Sequence, residues 1–237
     1  FRYPETPKIL QIETTTFCNG KCHFCPQRKV DRPNLQMSWE HFKNLVDQTR
    51  GLGIIYRPFL LNEPFTDKRM PEMVAYIKED PTAKVEFNTN AELLTKEIAD
   101  QLIRSKVDIV RFSVDGFTPA TYAKSRRCNF DKVVANVIYF CQKAKELSPK
   151  TITDVRMIDT EFTHPEIEAF KNFWLNHANK TTITQLYSYP WENQTSSISK
   201  PCLKIREEMF IYADGRVPLC CWDSHGRAII GDTHKDL

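Results

Sequence analysis

A chain of 237 residues, 41% of them apolar, is long enough for one large α/β domain, or for one domain with a small appendage. The formal net charge of +3 comes from 33 basic and 30 acidic residues scattered along the chain, which excludes a strongly basic nucleic-acid binder and names no anionic membrane as partner. No apolar run approaches the roughly 20 residues of a membrane span, and the opening FRYPETPK lacks the apolar core of a secretory signal, so a cytoplasmic location follows by default. The chain begins without Met and stops at HKDL, which reads as a trimmed protein or the ordered part of a longer one.

The first β-rich run is ILQIET, residues 9–14, and TTFCNGKCHFCPQR, residues 15–28, follows it directly. A helix begins after Ser38, a capping residue that precedes Trp39, Phe42, Leu45 and Val46 at helical spacing. The second strand is IIYRPFLL (54–61) and the third VEFNT (85–89), after which Thr95 caps a helix carrying Ile98, Leu102 and Ile103. The fourth strand, IVRFSV (109–114), precedes a helix with Val133, Val134, Val137, Ile138 and Cys141 on its apolar stripe. TDVRMI (153–158) is the fifth strand, Pro165 opens a helix carrying Ile167, Phe170 and Trp174, and TITQLYS (182–188) is the sixth strand. Strand and helix alternating in this way predict an α/β fold with a parallel sheet, as an open doubly wound sheet or a partial barrel, with ligands at the carboxyl ends of the strands. The pattern changes near Lys200. Residues 209–220, MFIYADGRVPLC, predict a β-hairpin turning at Asp214 and Gly215, so a domain of residues 1–199 is followed by a small module of residues 200–237.

The eight cysteines are grouped rather than spread like a disulfide framework. Cys18, Cys22 and Cys25 lie near the start, Cys202, Cys220 and Cys221 near the end, and Cys128 and Cys141 stand alone. Three thiols within eight positions, on a loop leaving a strand, suit a [4Fe-4S] cluster with one iron free of protein ligands; a zinc knuckle or an electron-transfer protein is the non-catalytic alternative.

The CxxxCxxC spacing of Cys18, Cys22 and Cys25, with Phe24 before the third thiol, resembles the signature of radical S-adenosylmethionine (SAM) enzymes. The resemblance implies a partial (β/α)6 TIM-like barrel, with the amino and carboxylate groups of SAM completing the cluster's ligation. LLNEP (60–64) resembles the family's Gly-Gly-Glu-Pro segment, giving Glu63, beside Asn62, the SAM amino group; Leu61 and Asn62 stand where the family has glycines. NTNAELLT resembles the family's TNG segment through Thr89 and Asn90, with Ala91 at the glycine. FSVDG (112–116) resembles the segment that approaches the SAM carboxylate and ribose, which implies that role for Ser113 and Asp115, and Arg156 is a further candidate for the carboxylate. Cys202, Gly215 and Cys220 are similar to the opening of the SPASM or Twitch extensions, which hold auxiliary iron-sulfur clusters. No Cys follows Cys221, so further ligands lie outside the chain or Cys221 joins Cys202 and Cys220 and leaves a second open iron.

These resemblances imply an oxidoreductase that cleaves SAM reductively, receives electrons from a flavodoxin or ferredoxin-type donor, and removes a hydrogen atom from its substrate. A small polar metabolite such as a sugar or aminocyclitol, undergoing dehydrogenation or epimerisation, is the first expectation; maturation of a ribosomal peptide is the alternative. Cys128, in SRRCNF, is a hydrogen-atom donor on one reading and a small buried residue on the other, and Cys141 belongs to the core.

Overall fold

The computed structural model describes residues 6–186 and 202–235. In chain order the main elements are β1 (Ile9–Ile12), α1 (Trp39–Asp47), β2 (Ile55–Arg57), α2 (Met70–Ile77), β3 (Lys84–Thr89), α3 (Lys96–Arg104), β4 (Ile109–Ser113), α4 (Pro119–Ser125) and α5 (Phe130–Leu147). They continue with β5 (Ile152–Asp159), α6 (Ile167–Trp174), β6 (Lys180–Gln185), α7 (Lys204–Glu207), β7 (Glu208–Ile211), β8 (Arg216–Pro218) and β9 (Ile229–Asp232). The first seven strands form one sheet in the order β6-β5-β4-β3-β2-β1-β7, and every neighbouring pair in it is parallel. This is the α/β partial barrel, with a seventh strand beyond the six expected.

The helices start where short polar side chains satisfy free N–H groups. Ser38 accepts from the His41 N–H, Thr95 from Ile98 and Asn129 from Lys132. Leu10, Tyr56, Val85, Phe87, Val110, Phe112, Val155 and Met157 are buried in the core. The alternate positions are polar: Gln11, Arg57, Glu86, Asn88, Arg111, Asp154 and Arg156. Register aligns Gln11 with Arg57, Asn88 with Arg111 and Arg111 with Asp154, so the polar residues share the concave face.

Two expectations are corrected. The second strand stops at Arg57 rather than Leu61, because Pro58 has no N–H for the ladder. The α2 and α4 helices were not anticipated, although Met70, Met73, Val74 and Ile77 repeat at helical spacing in α2; each helix carries Pro in its first turn, where a missing N–H costs nothing. The expected hairpin turns as predicted, with Gly215 at φ +83° and the Tyr212 N–H bonded to the Arg216 carbonyl. Its arms go to different sheets, however: β7 runs parallel to β1, and β8 pairs antiparallel with β9. The boundary drawn at 199/200 lies outside the described residues, as do Tyr187 and Ser188 of the sixth predicted strand. Among the described residues no helix is long and apolar enough to cross a membrane.

A candidate cofactor site at the strand ends

Cys18, Cys22 and Cys25 lie on the loop after β1, at the carboxyl rim of the sheet, and all three thiols are free and half-buried. The loop is held from several sides. Lys21 and His23 donate backbone N–H groups to the carbonyls of Arg126 and Ser125, and the Cys25 N–H closes a turn on the Cys22 carbonyl. Burial pushes the Cys18 thiol up to about 12 and raises Cys22 and Cys25 as well, each felt by its neighbours' charge. Thiols so placed become thiolates when cationic iron supplies the missing charge. Among the described residues no group of three or more His, Cys, Asp or Glu side chains is placed to hold a single metal ion.

Glu63 follows β2 and its side chain is buried beside this loop. Its Oε2 accepts the Asn90 N–H at 2.7 Å and its Oε1 accepts the Thr89 hydroxyl at 2.6 Å, joining the segments after β2 and β3. Burial raises the carboxyl to about 7, and the hydrogen bonds from Asn90, Thr89 and Phe65 oppose that rise. The Glu63 N–H donates to the Phe17 carbonyl, which ties the carboxylate to the cysteine loop. Asn62 folds its Oδ1 back onto the Leu60 N–H, leaving its buried Nδ2 with no partner among the described residues. An unpartnered donor beside a buried carboxylate and three thiols fits a ligand carrying both charges, and the residues present fit an open-iron cluster with SAM.

The Asn90 amide is already engaged: Nδ2 donates to Asn19 Oδ1 at 3.0 Å and Oδ1 accepts the Glu92 N–H at 2.9 Å. Ala91, at the family's glycine position, has φ +61°, the left-handed conformation that favours glycine. Asp115 is occupied at both oxygens, by Arg126 Nε at 2.5 Å and by the Ile158 N–H at 2.6 Å. It therefore anchors Arg126, whose Nη1 lies 3.6 Å from Cys22 Sγ and whose guanidinium stands over the Phe24 ring at 5.8 Å. Arg126 was not singled out in the sequence. Its contact with Cys22 spans 104 positions, and only its neighbourhood in SRRCNF pointed to it. Cys128 borders the same loop: a Cβ built on Gly20 would stand 3.6 Å from Cys18 Sγ and 3.7 Å from Cys128 Sγ. Burial raises its thiol to about 12.

On the concave face lies a chamber of about 310 Å³, open to solvent and lined by Gln11, Arg57, Asn88, Arg111, Arg156 and Glu208, together with Phe59 and Lys204. Arg156 Nε bonds Asp154 at 2.7 Å, and Ser113 stands beside Arg156 in strand register. Apart from Arg156, the chamber's charges escaped the sequence reading, although single arginines inside IIYRPFLL and IVRFSV were a signal for a polar interior.

At the other end, Cys202 is exposed, and Cys220 and Cys221 follow the last residue of β8. Because the strand has ended, the adjacent thiols meet instead of pointing to opposite faces. A hydrogen bond from Cys221 lowers Cys220 to about 6 against the opposing effect of burial, the Trp222 N–H assists at 3.4 Å, and Cys221 is raised in turn. The Lys204 charge favours both thiolates, so these cysteines adjoin a residue of the chamber wall.

Comparison with known proteins fits this arrangement. The chain is 27% identical over 124 residues to a protein named probable GTP 3',8-cyclase from Methanococcus maripaludis, covering 52% of this chain and 41% of that protein. It spans less than half the length of the curated relatives it matches first. The structure of Streptococcus suis SuiB bound to precursor peptide SuiA superimposes with a TM-score of 0.78 at 14% identity, covering 99% of this chain and 64% of that one. BtrN in complex with AdoMet and 2-DOIA does so with 0.65 at 14%, covering 98% and 80%. At such identities the likeness is one of fold. The profile of the radical SAM superfamily matches residues 12–173, from β1 through α6, and with the cysteine loop and Glu63 at the strand ends the chain belongs to the radical SAM superfamily.

Proposed function

We propose that the protein is a radical SAM oxidoreductase acting on a small polar metabolite, by dehydrogenation or epimerisation. The cofactor pair, a [4Fe-4S] cluster and SAM, supplies a 5′-deoxyadenosyl radical able to remove a hydrogen atom from substrate. Cys18, Cys22 and Cys25 hold three of the irons. Glu63 receives the SAM amino group with Asn62 beside it, Arg156 and Ser113 face its carboxylate, and Phe24 and Asn90 shape the surrounding loops. Asp115 approaches the SAM ribose beside Ser113 and also anchors Arg126.

The observation that carries this reading is the convergence of the three thiols and the buried Glu63 carboxylate above a polar chamber of about 310 Å³. Substrate in the chamber sits against the strand ends, where orientation rather than new chemistry is the protein's contribution. A space of this size accommodates a compact metabolite. Cys202, Cys220 and Cys221 would hold an auxiliary iron-sulfur cluster next to Lys204, placed to take up the second electron of an oxidation, and a flavodoxin or ferredoxin-type protein would supply the first. Cys128, close to Gly20, would be the hydrogen-atom donor if the outcome is epimerisation.

Anaerobic reconstitution followed by mass spectrometry of 5′-deoxyadenosine tests the reading. Replacing Cys18, Cys22 or Cys25 by Ala should abolish 5′-deoxyadenosine formation while far-ultraviolet circular dichroism stays native. Undiminished production by any one variant would refute the assignment.

A further inference from the structure

The chamber's polar groups are incompletely paired, and they are unpaired in a pattern. Glu86 accepts from Arg57 Nε at 3.0 Å and Arg111 Nη1 at 2.9 Å, Glu208 Oε1 from Arg57 Nη1 at 3.2 Å, and Asp154 from Arg156 Nε at 2.7 Å. Three carboxylates thus face four cations on the wall, since Lys204 has no carboxylate partner among the described residues and stands instead beside the Cys220 and Cys221 thiols. The outer nitrogens of Arg156 and the Nη2 of Arg111 also make no hydrogen bond there. On the acceptor side, Glu208 Oε2 and Asn88 Oδ1 are buried without a donor, and the Glu208 side chain is only 8% exposed. Unsatisfied groups of both kinds lining one space match a ligand that carries acceptors and donors together.

We infer that the chamber takes a small hydroxylated or amino-bearing acid, whose oxyanion is held by Lys204 and Arg111 and whose O–H or N–H groups donate to Asn88 Oδ1 and Glu208 Oε2. This rests on the chamber being the space in which substrate meets the radical chemistry. The wall's cations outnumber its carboxylates and favour an anionic group on the ligand, and the spare arginine nitrogens match the paired oxygens of a carboxylate or phosphate. The buried acceptors exclude a simple anion with no donor of its own. The chemistry is that of a sugar acid or a sugar phosphate.

Saturation-transfer NMR on the cluster-loaded protein with SAM tests this using D-gluconate, D-glucose 6-phosphate, D-glucose, D-glucosamine and an acidic octapeptide as probes. Gluconate, glucose 6-phosphate or both should bind at least about tenfold more tightly than glucose or glucosamine, the gain from one charge-assisted hydrogen bond, and the better of the two separates a carboxylate from a phosphate. Lys204→Gln, which breaks no ion pair of the fold, should weaken the acid probes by about tenfold without altering glucose binding, and Lys204→Arg should restore them. Equal binding of acids and glucose, equal loss of all probes in Lys204→Gln, binding of the peptide alone, or no binding of either acid at millimolar concentration overturns the inference. SAM cleavage by the wild-type protein without probe is measured in the same preparation. Its absence counts against the radical SAM reading, whereas its presence with no acid preference counts against this one alone.

Discussion

Ala91 shows what a single residue reveals about the site. Its φ of +61° holds Cβ in the left-handed region, and the Thr89 hydroxyl that accepts the Ala91 N–H at 2.9 Å also donates to Glu63. A left-handed non-glycine residue costs about 1–2 kcal/mol, of which glycine's extra unfolded-state entropy returns only about 0.5–1. Ala91 is fully buried, so the methyl lost in Ala91→Gly costs about 0.8 kcal/mol and offsets the relief; the urea midpoint should stay nearly unchanged at unchanged slope. A clearly raised midpoint would mean that the backbone strain outweighs the packing of the methyl. The glycine-like geometry was legible from NTNAELLT, because the segment resembles one with glycine there. The engagement of Asp115 by Arg126 was not, since no local pattern couples residue 115 to residue 126 and to the Ile158 backbone.

At the scale of elements, β2, β3, β4 and β7 are joined across the chamber by Arg57, Glu86, Arg111 and Glu208 as well as by backbone ladders. Burial alone would raise the Glu86 carboxyl, but the hydrogen bonds and charges of Arg111 and Arg57 hold it below the ordinary glutamate value. A carboxyl lowered in the folded state contributes stability that is complete above the unfolded value of about 4.3 and is lost as pH falls through the lower folded value. Acidification below that range should thus destabilise the wild-type protein more steeply than Glu86→Gln, as measured by urea unfolding at pH 5.5 and 3.5; parallel losses would remove Glu86 from the acid response. The strands themselves were legible because apolar residues at alternate positions pack under helices. Their charged faces were harder to interpret, because a lone arginine in a strand is equally consistent with a solvent-facing edge. The short β2 was legible in principle from Pro58.

For the whole molecule, the most connected group is the buried Glu13–Arg32 pair. Arg32 Nη1 and Nη2 bond both carboxylate oxygens at 2.7 and 2.8 Å, and the Arg32 Nε donates to the Ser224 carbonyl. The guanidinium lies 4.0 Å from the Tyr212 ring centroid, and the Ala213 N–H donates to Glu13. The segment after the cysteine loop is thereby fixed to the chain beyond β7, so the carboxyl-terminal residues stabilise the cofactor loop and do not hang beside it. Removing one partner leaves a buried charge uncompensated: Glu13→Leu or Arg32→Met should each cost about 3–5 kcal/mol, and the double replacement less than their sum. A double-mutant cycle on unfolding free energies measures this, and full additivity would show the pair to be energetically independent.

The pairing of β1 with β7 also governs how the protein is made. Ile9 lies opposite Glu208 in the ladder, a separation of 199 positions, so the strand at the centre of the cofactor rim acquires its second neighbour only when residues 208–211 arrive. Closing so long a loop is entropically costly and slow. Until then β1 is an open edge, with Leu10 and Ile12 beside unpaired backbone groups, and an open apolar edge invites pairing with another chain. Any nascent or proteolysed fragment ending before Glu208 therefore carries an aggregation-prone edge next to the loop of Cys18, Cys22 and Cys25, where intermolecular association and thiol oxidation would occur together.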